Sequence, residues 1–402
     1  MTRRRIPVKN RFMGAQNFNP VFANRPQSIF PTMSALARAH DAINLGQGFP
    51  DEDGPQLLLD LAADALRKGP NQYAPVEGIP ALREAIAADN KRFYNLDIDA
   101  QRETLVTSGA TEALAAAFLA FLQAGDEAIV LAPFYECYAP QIEAAGARLV
   151  PISLQPPQWR LSAQELNAVI TERTRVIVIN TPHNPLGKVM ARAELEIVAA
   201  AAREHNLLVI CDEVYEHIIF DGRRHETMLS LPDMFERSVR IGSAGKTFSV
   251  TGFRIGYAVG SEALISVINK AHQYLGYTSP APLQEAVATG LRLGDEYYVQ
   301  FRQKMEEKRD RLSAGLVDAG FEVLPCEGTY FVTVDIRSVG RADDVEFCHD
   351  VTKEAKVCAV PLSAFYHPNQ QDVPKYFARF CFCKKVMVLD EAVRRLKDYF
   401  QS

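Results

Sequence analysis

Ser243-Ala244-Gly245-Lys246-Thr247, with Arg254 eight positions after the lysine, is the stretch from which the rest of this 402-residue chain can be read. It sets a reactive lysine beside a second cation able to clamp a phosphate. Gly245-Lys246-Thr247 also looks like the end of the nucleotide loop G-x-x-x-x-G-K-[ST]. The first glycine of that loop would fall at 240, and position 240 is Arg240. Ile241 and Gly242 do not supply the long glycine-rich turn whose N–H groups wrap several phosphates, so the nucleotide loop is excluded.

Outward from this point, composition limits the choices. A chain of this length builds a large core and divides into two domains, or one large domain with a satellite. With 48% hydrophobic and 23% charged residues it has the composition of an ordinary soluble protein. A net charge of -5 gives no electrostatic case for nucleic acid or an anionic membrane. No apolar run approaches the roughly 20 residues that span a bilayer, so no membrane partner is expected. The seven cysteines are odd in number, scattered and without a C-x-x-C pair, which suits reduced thiols in a cytoplasmic protein. Cys381 and Cys383 alternate along a predicted strand and read as buried small hydrophobes. None of the eight histidines has a metal-ligand spacing, and no metal site is expected.

Arg3, Arg4, Arg5, Lys9, Arg11, Arg25 and Arg38 precede the first acidic residue, Asp41. This charge resembles a transit peptide, but Pro7, Pro20, Pro26 and Pro31 are expected to break any amphipathic helix, leaving an exposed N-terminal arm.

Between residues 104 and 260 apolar runs alternate with helical patterns, which predicts βα repeats and a mainly parallel sheet. The predicted strands are Thr104–Thr107, Ala128–Leu131, Arg148–Ile152, Val176–Asn180, Leu207–Cys211, Val239–Ile241 and Ile255–Val259. Apolar-faced helices are predicted at Thr111–Leu122, Glu194–Glu204 and Leu264–Gln273. After a long charged helix at Glu296–Ala319, runs at Tyr330–Asp335 and Tyr376–Phe382, with helices near Asp343–Glu354 and Asp390–Phe400, predict an α+β unit. The expected division is an N-terminal arm with part of a small domain over 1–55, a large domain over 56–295 and a small domain over 296–402.

Open α/β sheets place ligands at the C-terminal ends of their strands. There Ser108-Gly109-Ala110-Thr111 turns into a helix whose free N–H groups make an anion site, or simply an N-cap. Asn180-Thr181-Pro182-His183-Asn184-Pro185 holds an asparagine in a rigid turn. Leu207-Leu208-Val209-Ile210-Cys211 ends in Asp212-Glu213, with Tyr215 beyond. A carboxylate at a buried strand tip needs a positive partner, and none lies nearby in sequence. A protonated ring nitrogen and a structural arginine are the two candidates.

In combination these residues resemble the class I aminotransferases of the pyridoxal-phosphate (PLP) fold-type-I superfamily, from about Asn44 to the C-terminus. The resemblance implies an α/β fold with a mainly parallel seven-stranded sheet, flanking helices and a smaller α+β domain. It makes Lys246 the lysine that carries pyridoxal 5'-phosphate and moves the proton, Asp212 the partner of the ring nitrogen, and Asn184 and Tyr215 the donors to the ring oxygen. Tyr135 of Pro133-Phe134-Tyr135 stacks on the ring. Ala110, Thr111, Ser243 and Arg254 hold the phosphate, and Tyr73 reaches across from a partner subunit in a homodimer with shared sites. Arg379 in Tyr376-Phe377-Ala378-Arg379-Phe380-Cys381-Phe382 anchors the substrate carboxylate through its planar fork.

Asn44-Leu45-Gly46-Gln47-Gly48-Phe49-Pro50-Asp51 and Arg379-Phe380-Cys381-Phe382 look like the kynurenine aminotransferase and glutamine transaminase K branch. Ala271-His272-Gln273-Tyr274-Leu275 looks like bacterial methionine aminotransferases. In this branch Gly48 lies against the substrate carboxylate, and Tyr277 beside the side chain. The implied activity passes the amino group of an apolar, aromatic or sulfur-containing L-amino acid to a 2-oxo acid. A cysteine-S-conjugate carbon–sulfur β-lyase on the same scaffold is the alternative. His183, Arg254 and Tyr277-Thr278 depart from the branch pattern.

Overall fold

The computed structural model describes residues 18–401; Arg3, Arg4, Arg5, Lys9 and Arg11 of the basic arm lie outside the described residues. A short strand β1 (Ile43–Asn44) precedes the main sheet, which is built from β2 (Thr104–Thr107), β3 (Glu127–Ala132), β4 (Arg148–Ser153), β5 (Thr174–Asn180), β6 (Leu208–Asp212), β7 (Ser238–Ser243) and β8 (Gly256–Val259). Their order is β2-β8-β7-β6-β5-β3-β4. β8 runs antiparallel to both its neighbours, and the remaining pairs are parallel.

These strands are apolar runs because both faces of the sheet are covered. Alternate residues feed two cores: Ile129, Leu131, Ile177, Ile179 and Val209 enter one, while Ala128, Val130, Val176, Val178 and Ile210 enter the other. The helix Ala110–Phe121 lies over the second core through Ala113, Leu114, Ala117 and Phe118. Each predicted strand is present, with ends within two residues of those expected.

A second sheet combines β9 (Glu322–Val323), β10 (Phe331–Asp335), β12 (Val360–Pro361) and β13 (Phe377–Cys381) in the antiparallel order β12-β13-β10-β9, and β1 pairs in parallel with β11 (Val357–Cys358). Met33, Ala37 and Leu45 share a core with Leu312, Val332, Phe380 and Leu396, which ties the N-terminal segment to this sheet.

Pro20 and Pro31 do not break helices here, contrary to expectation, and Pro7 lies outside the described residues. Pro20 opens a helical turn at Pro20–Ala23, and Pro31 is the third residue of the helix Ile29–Ala39. Proline is tolerated there because the first N–H groups of a helix have no intrahelical acceptor. The helices Gln56–Lys68, Pro80–Tyr94 and Ala281–Leu291 are further additions to the predicted set. Among the described residues no helix is long and apolar enough to cross a membrane.

Reversal of β8 decides where the chemistry collects. Its first residues lie where the parallel strands end, with Gly256 opposite both Thr107 and Ser243.

Candidate active site

At that edge lies a cavity of about 220 Å³ whose walls include Gly48, Ala110, Thr111, Tyr135, Asn184, Asp212, Tyr215, Ser243, Lys246, Arg254 and Arg379. Eleven residues expected from the sequence to form one site are thus brought together.

One part of the cavity is a cradle for an anion. The helix Ala110–Phe121 starts at Gly109, which has φ 81° and places no side chain over the first-turn N–H groups. Arg254, itself left-handed at φ 54°, lies so close that a Cβ on Gly109 would meet its Nη2 at 2.5 Å. A Cβ on Gly256 would meet the Ala110 nitrogen at 2.4 Å. Glycine at both positions lets open amides and a guanidinium converge, as a bound phosphate requires. Ser243, the last residue of β7, borders the same space.

Asp212 ends β6 and is 4% exposed. Tyr138 donates its hydroxyl proton to Oδ2, and the Val214 N–H approaches Oδ1 at 3.4 Å. The main-chain oxygen of Asp212 accepts from Asn180 Nδ2 at 2.8 Å. Burial raises the carboxyl pKa from 3.8 to about 6. The structural arginine considered as its partner is engaged elsewhere: Arg240 donates to Glu213 at 2.8 Å and to Glu216. Among the described residues no cation forms an ion pair with Asp212. A protonated ring nitrogen would balance it, so the donor set fits the cofactor implied by the sequence.

Lys246 follows β7 in the short helix Ala244–Thr247. Its Nζ donates to the Tyr330 hydroxyl at 2.8 Å, and that hydroxyl donates to the Gly48 carbonyl at 2.9 Å. Burial holds the lysine pKa below its ordinary value, which favours the neutral amine. Tyr215 presents its ring 5.6 Å from Nζ. Tyr135 lines the same cavity and bonds Thr111 through its hydroxyl, with burial pushing its pKa up.

Arg379, on β13, is fully buried. Its guanidinium lies 3.8 Å from the ring centre of Phe331, 4.7 Å from that of Phe365 and 5.3 Å from that of Phe30. Nη1 donates to Asn184 Oδ1 at 2.7 Å and Nη2 to the Gly46 carbonyl at 2.8 Å, while Nε has no partner. Burial lowers its pKa to about 10, so it remains charged at neutral pH. No carboxylate among the described residues pairs with it. Gly48 is held close, since a Cβ there would meet Phe331 Cζ at 2.4 Å.

Tyr73 and Tyr277 do not line this cavity. They are 81% and 47% exposed and meet edge to face at 5.3 Å. Conversely, Phe30, Asn180, Tyr138, Tyr330 and Phe331 belong to the site or its support and were not expected from the sequence. Asn180 had a readable signal, a polar residue at a strand tip like Asp212; its Oδ1 accepts the Asn184 N–H at 2.7 Å and fixes that turn. Elsewhere, Asp89, Glu216 and His217 bring possible ligand atoms within 4.8 Å of one another. Glu216 there already accepts from Arg240, Tyr94 and Tyr257.

A family model for aminotransferase class I and II matches residues 40–396. The methionine aminotransferase of Escherichia coli is 44% identical over 371 residues, covering 92% of this chain and 95% of that protein. Human kynurenine–oxoglutarate transaminase 1 is 36% identical over 396 residues, covering 90% and 94%. The solved structure of N-succinyldiaminopimelate aminotransferase from Mycobacterium tuberculosis superposes with a TM-score of 0.92 at 44% identity, covering 95% of this chain and 99% of that one.

Proposed function

The chain belongs to the class I and II aminotransferases, PLP-dependent enzymes of fold type I, and from that premise we propose that it transfers the amino group of an apolar, aromatic or sulfur-containing L-amino acid to a 2-oxo acid. The observation that carries this reading is Arg379, a buried guanidinium without an anionic partner in a cavity that also contains Lys246 and Asp212. An α-carboxylate would supply the missing charge and satisfy the free Nε.

Bound in this cavity, PLP would supply an electron-accepting ring that stabilises charge at the substrate Cα. Ala110, Thr111, Ser243 and Arg254 would hold its phosphate, and Tyr135 would cover its ring. Asp212 would keep the ring nitrogen protonated, because a proton there would balance an otherwise lone buried carboxylate. Asn184 turns its Oδ1 to Arg379, which leaves its Nδ2 donor, together with the Tyr215 hydroxyl, for the ring oxygen. Lys246 would take up the substrate Cα proton at Nζ and hand it on to the bound cofactor, a role suited to an amine whose burial favours the neutral form.

The donor class is supported by Phe30, Leu114, Val214 and Phe331 in the cavity walls, and by likeness to the methionine and kynurenine enzymes. The comparably similar N-succinyldiaminopimelate enzyme makes a long acylated donor the competing substrate. A half-reaction screen tests this, following loss of the PLP absorbance with methionine, phenylalanine, glutamine, kynurenine and N-succinyldiaminopimelate. Response to the last alone would overturn the proposed donor class. Pyruvate and ammonia released from a cysteine conjugate without an oxo acid would assign a β-lyase.

We place the enzyme in the cytoplasm as a homodimer. Exposed Tyr73 and Tyr277 would complete the partner's site, Tyr73 at the phosphate and Tyr277 at the substrate. A large unit over 56–295 and a small unit from 1–55 with 296–402 is supported by the core that Met33 and Leu45 share with the C-terminal sheet. Mixed dimers of Lys246→Ala and Tyr73→Ala chains test the shared site: some activity should return in the mixture, and none if each chain is self-sufficient.

A further inference from the structure

We propose that Tyr330 is a positioning residue for Lys246, tying the amine that moves the proton to the loop that receives the substrate. This rests on the aminotransferase reading above. The hydroxyl of Tyr330 has a single proton, and the Gly48 carbonyl accepts it at 2.9 Å. Only the lone pairs of that oxygen remain for Lys246 and for the neighbouring Tyr215 hydroxyl, so at 2.8 Å the lysine must donate. One N–H of the amine is thereby fixed, and its lone pair is confined to the directions that remain.

The setting of Tyr330 supports a built contact. Thr329 precedes it at φ 68°, a left-handed conformation unusual for a β-branched residue. That turn is pinned by the Thr329 N–H to the Ile218 carbonyl at 2.9 Å and by Thr329 Oγ1, which accepts the Phe331 N–H at 3.2 Å. The Tyr330 carbonyl accepts the Phe382 N–H at 2.9 Å, close to Arg379 on the same segment. The ring is 1% exposed and packs edge to face on Tyr215 at 5.1 Å.

Gly48, at the other end of the chain of bonds, is followed by Phe49, whose carbonyl accepts from Lys384 at 2.8 Å. Two residues before it, the Gly46 carbonyl accepts from Arg379. The loop that carries the substrate anchor's contacts and the lysine that performs the proton transfer are therefore joined through one phenol oxygen. Burial pushes the Tyr330 pKa well up and that of Lys246 down. The phenol stays neutral throughout: it orients the amine and does not exchange a proton.

Tyr330→Phe removes this oxygen and keeps the ring. In the holoenzyme kcat should fall about ten- to a hundredfold with KM within about twofold, the pattern of a misoriented base rather than a damaged pocket. In the apoprotein, labelling of Lys246 by trinitrobenzenesulfonate, read by mass spectrometry across pH, should have its midpoint lowered by about one pH unit. The lost bond favours the charged amine, its donor. Gly48→Ala, whose Cβ would meet Tyr330 Cε2 at 2.9 Å, gives a second labelling profile that should shift in the same direction. An unchanged kcat with coincident labelling curves in an active enzyme overturns the positioning role. A wild-type enzyme that reacts with no amino acid instead overturns the aminotransferase reading.

Discussion

Arg379 Nη1 donates to Asn184 Oδ1 at 2.7 Å, so the side chain assigned to the substrate and a side chain assigned to the cofactor orient each other. Replacing Asn184 by aspartate would convert that hydrogen bond into an ion pair in a buried site. The new carboxylate would compete with the substrate carboxylate, and KM for amino acids should rise by about tenfold or more, beyond the rise in Asn184→Ala. Steady-state kinetics on the two variants separate competition from simple loss of a donor. A larger KM in the alanine variant would contradict the argument.

Lys246→Ala should abolish turnover and the absorbance of the lysine-bound cofactor, while circular dichroism reports a folded chain. The side chain lies in a cavity wall and its removal opens space without disturbing β7. Substantial remaining turnover would remove Lys246 from the mechanism.

Arg379→Ala should weaken amino-acid binding by roughly 2–4 kcal/mol, the scale of losing one partner of a buried charged contact. Arg379→Lys should recover only part of this, since an ammonium cannot form the two-pronged contact or lie flat against Phe331. Titration with an amino acid in the Lys246→Ala background gives binding without turnover. Equal affinity in all three proteins would place the anchor elsewhere.

Asp212 gives the apoprotein a predictable pH response. Its pKa is about 6 in the folded chain against 3.8 as the ordinary value. Between these values the folded state binds more protons, so this group's effect on stability worsens as pH rises from about 4 to 6, then stays level. Asp212→Asn removes the buried charge and keeps an acceptor for Tyr138. The variant apoprotein should be more stable than wild type at pH 7, by up to about 3 kcal/mol, with the difference vanishing near pH 4. Urea melts at the two pH values measure it. The same variant should bind the cofactor more weakly, because the ring nitrogen loses its counter-charge.

Gly109→Ala places a methyl 2.5 Å from Arg254 Nη2 at a backbone φ of 81°. Affinity for PLP should fall about tenfold or more, whereas affinity for pyridoxal, which lacks the phosphate, should change little. Equal loss for both compounds would mean that the cradle does not hold the phosphate.

What could be read in the sequence follows the range of the forces involved. β3, β5 and β6 are apolar runs closed by turn signals, so their existence is local information, and their tips carry Asn180 and Asp212. Lys246 was legible because Ser243 and Arg254 accompany it within a few residues. Tyr330 lies 84 residues from Lys246 and Tyr138 lies 74 from Asp212; those pairs exist only through tertiary packing, and no spacing announces them. β1, β9, β11 and β12 have two residues each, too few for a period to show. The prolines misled because their effect depends on position within a helix, which composition does not reveal.

The reversed strand β8 has a consequence for how much this chain can vary. A parallel neighbour after β7 would have to start at the opposite edge of the sheet, so the chain would leave the site before pairing again. Running backwards, β8 begins at Gly256, opposite Ser243, so Lys246 and Arg254 sit on one short connection between adjacent strands. The lysine proposed to carry the cofactor and the arginine proposed to clamp its phosphate are thus spaced by a single loop. Inserted residues elsewhere on the rim would alter which substrates enter, but an insertion between Lys246 and Arg254 would change the distance between the two holds on the same molecule. The length of that connection is therefore constrained from both of its ends.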